Sequence, residues 1–266
     1  VIFSTSPVTT AAEIGLELSK KWRLPWIADF RDPPWEKLTS ERLAIYLDQC
    51  EKMVLNTPRA ADFMHSSFPA YSSKIEYQTN GVNSQDAKME SIGAPKLNRT
   101  IIYAGGIYPC LINVLEKLQH VGFDVYVYGF VETKRVKEIF KLKELGITFR
   151  PPVPADKVVT EMKKFESVLA HFPNNYEHRI SFKTYLAIAS GRPVLLSGKA
   201  DGAFELFAKT PGLIDLNMMI DTDNLESRLR EKINGYDLQE NIQVRRKVIS
   251  KHTWREIFDG IFAKYI

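Results

Sequence analysis

Two groups of residues in this sequence have side chains suited to chemistry on charged substrates. The first group, Asp29, Arg31 and Asp32, follows an apolar run that predicts a strand over residues 24–28, and it is flanked by aromatic and proline residues. One carboxylate could orient or deprotonate an incoming hydroxyl while Arg31 binds a charged group; the alternative is an internal Asp–Arg ion pair that braces a loop. The second group combines Gly105 and Gly106 with Ser181 and Lys183. Glycines near a predicted helix start suit phosphate binding.

The elements that must position the second group surround residues 171–197. Ser-Val-Leu-Ala at 167–170 predicts a buried strand, and Val-Leu-Leu at 194–196 predicts another. A helix with one apolar face is predicted between them, from the i, i+3, i+4, i+7 spacing of Phe182, Tyr185, Leu186 and Ala189. Loop 172–180 then lies at the carboxyl end of a parallel strand, where open α/β sheets bind ligands.

The ends of this helix carry the phosphate hypothesis. Ser181 is the expected N-cap, and Gly191 is expected to stop the helix in the left-handed conformation. Lys183 in the first turn opposes the helix dipole, so a nearby anion would favour it; the alternative is an exposed helical lysine. We expect this helix start to meet loops 105–108, 150–155 and 197–202 at one edge of the second sheet. His171 and His178 are interpreted as structural rather than catalytic.

Strands alternate with helices through both halves of the sequence. This pattern predicts an α/β protein with two Rossmann-like, doubly wound parallel sheets. We assign 1–83 to a first domain, 84–99 to a linker, 100–250 to a second domain, and 251–266 to a C-terminal helix that packs back on the first domain. The first domain is expected to be incomplete, because the sequence begins inside a strand.

Composition and motifs narrow the function classes. The 266 residues are 44% hydrophobic with a net charge of +4, which indicates a solvated surface or an attraction to phosphate ligands or an anionic membrane. Cys50 and Cys110 lack metal-ligand spacing and are expected to be free thiols in a reducing compartment. Ser/His/Asp, Walker, HExxH and CxxC patterns are absent, as is a basic–aromatic platform for nucleic acid.

Several motifs, in order, resemble the retaining "glycosyl transferases group 1" family of two-domain GT-B enzymes. Residues 24–35 (LPWIADFRDPPW) resemble its Pro-x-x-x-Asp-x-Arg-Asp-Pro-Trp stretch, with an extra proline. Residues 79–82 (TNGV) resemble its Pro-Asn-Gly-Val turn, and 103–107 (YAGGI) its first donor-domain loop. Residues 183–194 resemble its Lys-x-x-Glu-x-x-x-x-Gly-x-Pro-Val signature. The resemblance covers nearly the whole chain.

The resemblance implies roles for individual residues. The second domain would bind a nucleotide sugar as substrate, with no cofactor and no metal. The donor-binding residues it points to are Gly105 and Gly106 at the phosphates, Pro152 and Val153 at the base, Lys183 at the diphosphate, and Glu177 next to the position of a companion glutamate. Ser181 joins them as the cap of the helix that carries Lys183. The catalytic, acceptor-side residues would be Asp29, Arg31 and Asp32. This chain departs from the signature at Leu186, where the family has a glutamate that usually contacts the ribose.

The resulting prediction is a glycosyltransferase that moves a sugar to a saccharide or lipid-linked acceptor in surface glycan assembly. A cytoplasmic protein is expected, with peripheral contact at the inner membrane face as a further expectation. Two alternatives stay open. One is a catalytically inactive GT-B-like protein that binds sugar or acts as a scaffold, which Leu186 favours. The other is a nucleotide-sugar epimerase, which would need acid–base carboxylates in the second domain.

Overall fold

A computed structural model describes residues 1–6, 9–89, 92–130, 136–173 and 178–263. The chain forms two compact units. Unit 1 comprises Val1–Gly81, Glu177–Ile180 and Trp254–Ile266, and unit 2 comprises Val82–Tyr176 and Ser181–Thr253. Each unit contains a parallel sheet with helices, so the predicted α/β class with two parallel-sheet domains is confirmed.

Unit 1 is built on a parallel sheet whose described strands run in the order β1-β2-β3-β4. The strands are β1 (Ile2–Ser6), β2 (Trp26–Phe30), β3 (Lys52–Leu55) and β4 (Ile75–Tyr77). The helices, numbered along the whole chain, are α1 (Thr9–Trp22), α2 (Ser40–Gln49), α3 (Pro58–Ser67) and α12 (Trp254–Phe262). Thr39 and Thr57 cap α2 and α3 by accepting hydrogen bonds from backbone N–H groups.

The core of unit 1 forms around aromatic side chains of β2 and α2. Trp26 and Tyr46 are fully buried and meet edge to face, with ring centroids 5.5 Å apart. The indole Nε1 of Trp26 donates to Ser4 Oγ at 2.8 Å, which satisfies its only polar group. On α12, Phe258 and Phe262 pack against Phe3 of β1. The last helix therefore belongs to unit 1.

Unit 2 is built on a larger parallel sheet, whose described strands run in the order β10-β9-β8-β5-β6-β7. Its strands are β5 (Thr100–Ala104), β6 (Asp124–Tyr128), β7 (Thr148–Arg150), β8 (Ser167–Phe172), β9 (Val194–Gly198) and β10 (Leu213–Asp215). Its helices are α4 (Ser84–Ala87), α5 (Pro109–His120), α6 (Val136–Glu144), α7 (Val158–Met162), α8 (Phe182–Ala189), α9 (Asp201–Leu206), α10 (Leu225–Asn234) and α11 (Leu238–Ser250).

The β8–α8–β9 segment follows the sequence prediction closely. All six residues of β8 are buried, as a central parallel strand requires. Ser181 caps α8 by accepting from the Lys183 backbone N–H at 3.3 Å, and Gly191 adopts φ 76° two residues after the helix ends. All residues of α8 from Thr184 to Ala189 are buried, so its buried surface is wider than the predicted apolar face. The reason is that α8 packs against both β8 and α11.

The segment assigned to a linker is part of unit 2 where the structure describes it. Ser84–Ala87 forms α4, and Met89 and Ile92 are buried. The backbone N–H groups of Lys96 and Leu97 both donate to the carbonyl of Lys164. The backbone hydrogen bonds of this stretch leave no periodic signal in the sequence, and its polar, aperiodic composition is typical of a linker.

Candidate functional site

A cavity of about 540 Å³ opens at the carboxyl ends of β5, β6 and β7 in unit 2. Backbone from three loops and the first turns of α7 and α8 form its walls. The described residues that line it are Ile102, Ala104, Gly105, Gly106, Tyr128, Gly129, Phe130, Pro152, Val153, Pro154, Ala155, Val158, Glu161, Phe182, Lys183 and Leu186. Five of the residues expected at a donor site, Gly105, Gly106, Pro152, Val153 and Lys183, therefore meet in one place.

Two glycines allow the loops that form this cavity to approach each other closely. A Cβ atom on Gly129 would lie only 2.0 Å from the Gly105 carbonyl oxygen, and one on Gly105 would lie 2.6 Å from the Tyr103 hydroxyl. The Gly105 N–H donates to the Tyr128 carbonyl at 2.8 Å, so the ends of β5 and β6 are joined beyond the sheet. Gly106 is different, because an added Cβ would meet its nearest neighbour at 3.4 Å.

Lys183 brings positive charge to the cavity from the first turn of α8. Its Nζ lies against the Gly105 loop, since a Cβ on Gly105 would be 2.8 Å from it. The side chain is half-buried, and burial lowers the pKa of its ammonium group. Within the described part of the chain, no hydrogen bond or ion pair engages Nζ. The geometry differs from the alternative of an exposed helical lysine, because an incompletely compensated cation lines a cavity.

A smaller pocket of about 40 Å³ adjoins this cavity and also has Lys183 in its wall. Ser181 lines this smaller pocket rather than the large cavity. His171 lies beneath it, with Nδ1 2.9 Å from Ser197 Oγ and Nε2 3.2 Å from Cys110 Sγ. Burial lowers the pKa of His171 to about 4, so its ring is neutral at pH 7. These contacts fit the structural role expected for His171.

Glu161 on α7 is the carboxylate that sequence reasoning did not select. It lines the large cavity, accepts a hydrogen bond from Tyr128 Oη at 2.9 Å, and pairs with Lys164. Burial raises the pKa of Tyr128 to about 12, and the hydrogen bond to Glu161 adds to the shift. Burial also raises the pKa of Glu161, but the hydrogen bonds from Lys164 and Tyr128 outweigh it and the net shift is downward.

The resembled signature has a glutamate at the position of Leu186, and in the structure this leucine is part of the cavity lining. Leu186 lines the large cavity and is 3% exposed. Its neighbour in the wall, Phe182, is partly exposed, and Phe130 at the other side is 74% exposed. Most of the described lining is therefore hydrophobic, and its charged side chains are Lys183 and Glu161.

The charged group of unit 1 is arranged differently, because Asp29 and Arg31 bind each other. Asp29 was expected after a strand, but β2 extends to Phe30 and contains it. Asp29 is 1% exposed, and its Oδ2 accepts from Arg31 Nε at 2.7 Å and from Thr5 Oγ1 at 2.6 Å. Burial raises the pKa of Asp29 in spite of these partners. A carboxylate that pairs with a guanidinium can be buried within a strand. A prediction that ends strands at charged residues therefore misses it.

Arg31 uses its remaining donors within unit 1. Its Nη1 donates to the carbonyls of Gln78 at 3.1 Å and Thr79 at 3.0 Å, just beyond β4. Its own carbonyl accepts from Asn56 Nδ2. Arg31 thus ties together the carboxyl ends of β2, β3 and β4. This geometry fits the bracing alternative for Asp29 and Arg31 better than contact with a substrate.

Asp32 is the exposed carboxylate of the group. Its side chain is 36% exposed, and Oδ1 lies 3.2 Å from Arg179 Nε. Arg179 also pairs with Glu36 through Nη2. Residues 178–180 were expected at the edge of the second sheet, but they belong to unit 1, where Asn80 Nδ2 donates to the Ile180 carbonyl at 3.1 Å. Glu177 lies outside the described residues.

Arg179, Glu161 and Tyr128 are site residues that the sequence did not reveal. Arg179 follows His178 in a polar loop, and its carboxylate partners are more than 140 residues away in sequence. Glu161 shares a helix face with Val158, because the two are three residues apart. This i, i+3 relation is the only sequence signal that places Glu161 beside an apolar cavity, and it is weak.

Two kinds of feature are absent from the described ranges. None of the helices is both long and apolar enough to cross a membrane. In the same part of the chain, no three metal-ligating carboxylate, imidazole or thiol groups cluster together.

Comparisons with known proteins give a result at the level of fold. No protein-family model matches the sequence, and no curated protein sequence matches it. Solved structures do match. HepE (Alr3699) from Anabaena in complex with UDP-glucose has a TM-score of 0.64 and 15% identity over 99% of this chain and 78% of that chain.

Two further solved structures give the same result. A glycosyltransferase from Rickettsia africae ESF-5 has a TM-score of 0.63 and 17% identity over 96% of this chain and 79% of that chain. TarM has a TM-score of 0.66 and 12% identity over 98% of this chain and 53% of that chain. At such identities the likeness concerns architecture. The chain has the two-unit α/β fold of GT-B glycosyltransferases.

Proposed function

We propose that this protein is a glycosyltransferase that moves a sugar from a nucleotide-sugar donor to a saccharide or lipid-linked acceptor. The observation that carries the proposal is the 540 Å³ cavity, in which Lys183 at a helix start faces the close-packed Gly105 loop. A helix N-terminus and a cation without a carboxylate partner among the described residues suit a diphosphate. The shared fold with HepE, whose structure contains UDP-glucose, supports the same reading.

The chemical role of Lys183 follows from charge. When the glycosidic bond to the donor breaks, negative charge develops on the leaving diphosphate. An ammonium group already placed in a partly desolvated wall stabilises that charge more strongly than water does. Burial lowers the pKa of Lys183. A bound diphosphate acts in the opposite direction, because a nearby anion favours the protonated state. We assign the leaving-group stabilisation to Lys183 at the start of α8, by a retaining and metal-independent mechanism.

The acceptor side of the proposal depends on Asp32. Its exposed carboxylate can accept a proton or hydrogen bond from an acceptor hydroxyl, with Arg179 fixing its orientation. Asp29 and Arg31 hold the loop that carries Asp32, so we assign them positioning roles. Pro152 and Val153 present backbone groups to the base, and Ser181 caps the helix that bears Lys183.

One observation favours a second candidate, an inactive protein of the same fold that binds nucleotide sugars. Leu186 gives the cavity an apolar wall at the position of the resembled family's glutamate. An epimerase has less support, because it would need acid–base carboxylates in the cavity and Glu161 is the carboxylate among the described lining residues.

Calorimetric titration with UDP-, GDP-, ADP- and dTDP-glucose, followed by an assay for donor hydrolysis, tests the proposal. Binding together with slow release of free glucose is the expected result, because water replaces a missing acceptor. Binding without hydrolysis, and without transfer to any acceptor supplied, would favour the inactive candidate. Absence of binding by every donor would refute both.

A further inference from the structure

The large cavity has opposite charges at two of its walls. Lys183 comes from α8 beside the end of β5, whereas Glu161 comes from α7 beside the end of β6. The wall between them is provided by apolar side chains and glycine backbone. A ligand that fills this space presents negative charge to Lys183 and hydrogen-bond donors to Glu161.

Glu161 retains acceptor capacity towards the cavity. An ionised carboxylate has about four lone-pair positions. Tyr128 Oη occupies one on Oε1 and Lys164 Nζ one on Oε2, so capacity remains for further donors. The Glu161 side chain is 18% exposed, and it lines the cavity.

The two partners also hold the carboxylate in position. Tyr128 is the last residue of β6, and its hydroxyl donates to Glu161 Oε1. Lys164 follows α7 and donates to the other carboxylate oxygen, Oε2. The hydrogen bonds from both groups lower the pKa of Glu161 and keep it ionised. A fixed, ionised acceptor in an apolar wall discriminates strongly, because a ligand without a matching donor leaves it desolvated and unpaired.

We propose that Glu161, oriented by Tyr128, is the specificity-determining residue of the cavity and accepts hydrogen bonds from the nucleoside part of the donor. The chemistry it recognises is a neutral N–H or O–H donor, supplied by the ribose hydroxyls or by the base. It takes the place of an acceptor on α8, where Leu186 offers none. This inference rests on the proposed function, since it assumes that the cavity binds a nucleotide.

Titration calorimetry with the tightest binder among UDP, GDP, ADP and CDP tests the inference. Glu161→Gln keeps the shape of the side chain and removes its charge, and we expect it to weaken nucleotide binding at least tenfold. Glu144→Gln is the matched control, because it makes the same change at an exposed carboxylate on α6 that does not line the cavity; we expect less than a twofold change. Equal losses in both variants would mean that the loss does not come from the cavity, and would overturn the inference.

Two modified ligands identify the donor group. The 2′-deoxy form of the nucleotide lacks one ribose donor, and the form methylated at a base N–H lacks one base donor. The group that contacts Glu161 is the one whose loss weakens binding to the wild type at least fivefold but leaves binding to Glu161→Gln unchanged. If both modifications act equally on wild type and variant, Glu161 contacts neither and the inference fails.

Inorganic pyrophosphate separates this inference from the proposed function. It should bind the Lys183 end, so Glu161→Gln should leave its affinity unchanged. Nucleotide binding that is unaffected by Glu161→Gln overturns the inference alone. A wild-type protein that binds no nucleotide overturns both. Should Glu161→Gln not fold, Tyr128→Phe removes the orienting hydroxyl, and we expect at least threefold weaker nucleotide binding; an unchanged affinity would contradict the inference.

Discussion

The carboxyl edges of the two sheets use charged residues in opposite ways. In unit 1, Asp29 and Arg31 bind each other and neighbouring backbone groups, which fills the edge with internal contacts. In unit 2, glycines let the loops pack closely around a cavity, which Lys183 lines without an ion-pair partner among the described residues. Parallel strands thus support a braced edge in one sheet and an open edge in the other. The difference shows that clustered charges near a strand end indicate a ligand site only when they are not already paired.

The largest effect should come from breaking the braced edge. Arg31→Met leaves the buried carboxylate of Asp29 without its cation, and we expect the free energy of unfolding of unit 1 to fall by about 3–5 kcal/mol. All four tryptophans, Trp22, Trp26, Trp35 and Trp254, belong to unit 1, so fluorescence during urea unfolding reports on it.

Arg42→Met is the control for this measurement. It removes a half-exposed pair with Glu13, and we expect a loss below about 1 kcal/mol. If the two variants lose similar stability, Arg31 does not brace the edge, and contact with a substrate becomes the better interpretation of the Asp29–Arg31 pair.

Asp32→Asn asks whether the exposed carboxylate of the same edge takes part in transfer. We expect transfer to fall about 100-fold while donor affinity stays unchanged, because general-base assistance is lost and the cavity in unit 2 is untouched. Glu36→Gln removes the other carboxylate that pairs with Arg179 and serves as the control. An active Asp32→Asn enzyme, or equal losses in both variants, would assign Asp32 to pairing with Arg179.

The two edges should also respond differently to acid. The folded-state pKa of His171 is about 4, below its ordinary value of 6.5, so folding favours the neutral ring. Its contribution to stability is therefore complete above pH 6.5 and is lost as the pH falls towards 4. Asp29 has the opposite sign, because its pKa is raised and its contribution is lost as the pH rises.

For His171, we expect a loss of about 2 kcal/mol between pH 7 and pH 5. Native-state hydrogen exchange over residues 167–172, corrected for intrinsic rates, measures it within unit 2. His171→Gln should lose about 2 kcal/mol less stability than the wild type between pH 7 and pH 5, because it lacks the ring that titrates. His120→Gln, at an exposed position, should lose as much stability as the wild type. An unchanged loss in His171→Gln would mean that its ring is not held neutral.

The open edge offers a matched pair of glycines. Gly105→Ala places a methyl group against Lys183 Nζ and the Tyr103 hydroxyl, so we expect nucleotide affinity to fall about tenfold, or about 1.4 kcal/mol. Gly106→Ala adds the same methyl group with its nearest contact at 3.4 Å and should change affinity less than twofold. Equal effects, measured by calorimetry, would remove the close approach at Gly105 from the account.

The sequence was sufficient to predict the elements that position the open edge. The apolar run of β8, the cap at Ser181 and the glycine stop at Gly191 are local signals, and all three occur where they were expected. The gathering of Gly105, Pro152 and Lys183 follows from a general property of parallel sheets, whose carboxyl ends share one edge.

The sequence was not sufficient to separate paired from unpaired charges. Arg31 is neutralised partly by backbone carbonyls beyond β4, and backbone acceptors have no residue type to indicate them. Glu161 lies in a short helix flanked by Lys157, Lys163 and Lys164, and it resembles a surface residue until Tyr128 is placed beside it. The extension of β2 through Asp29 was missed for the same reason, because the partners that make it tolerable come from Thr5 and Arg31.

The most direct test of the open edge uses the nucleoside diphosphate that binds the wild type most tightly. This ligand is titrated into two lysine variants. Lys183→Ala should weaken binding about 10- to 100-fold, since a charge-assisted phosphate contact contributes about 1.5–3 kcal/mol. Lys247→Ala, an exposed lysine on α11, should leave affinity unchanged. Equal affinity in Lys183→Ala and the wild type would contradict the assignment of this cavity to a nucleotide-sugar diphosphate.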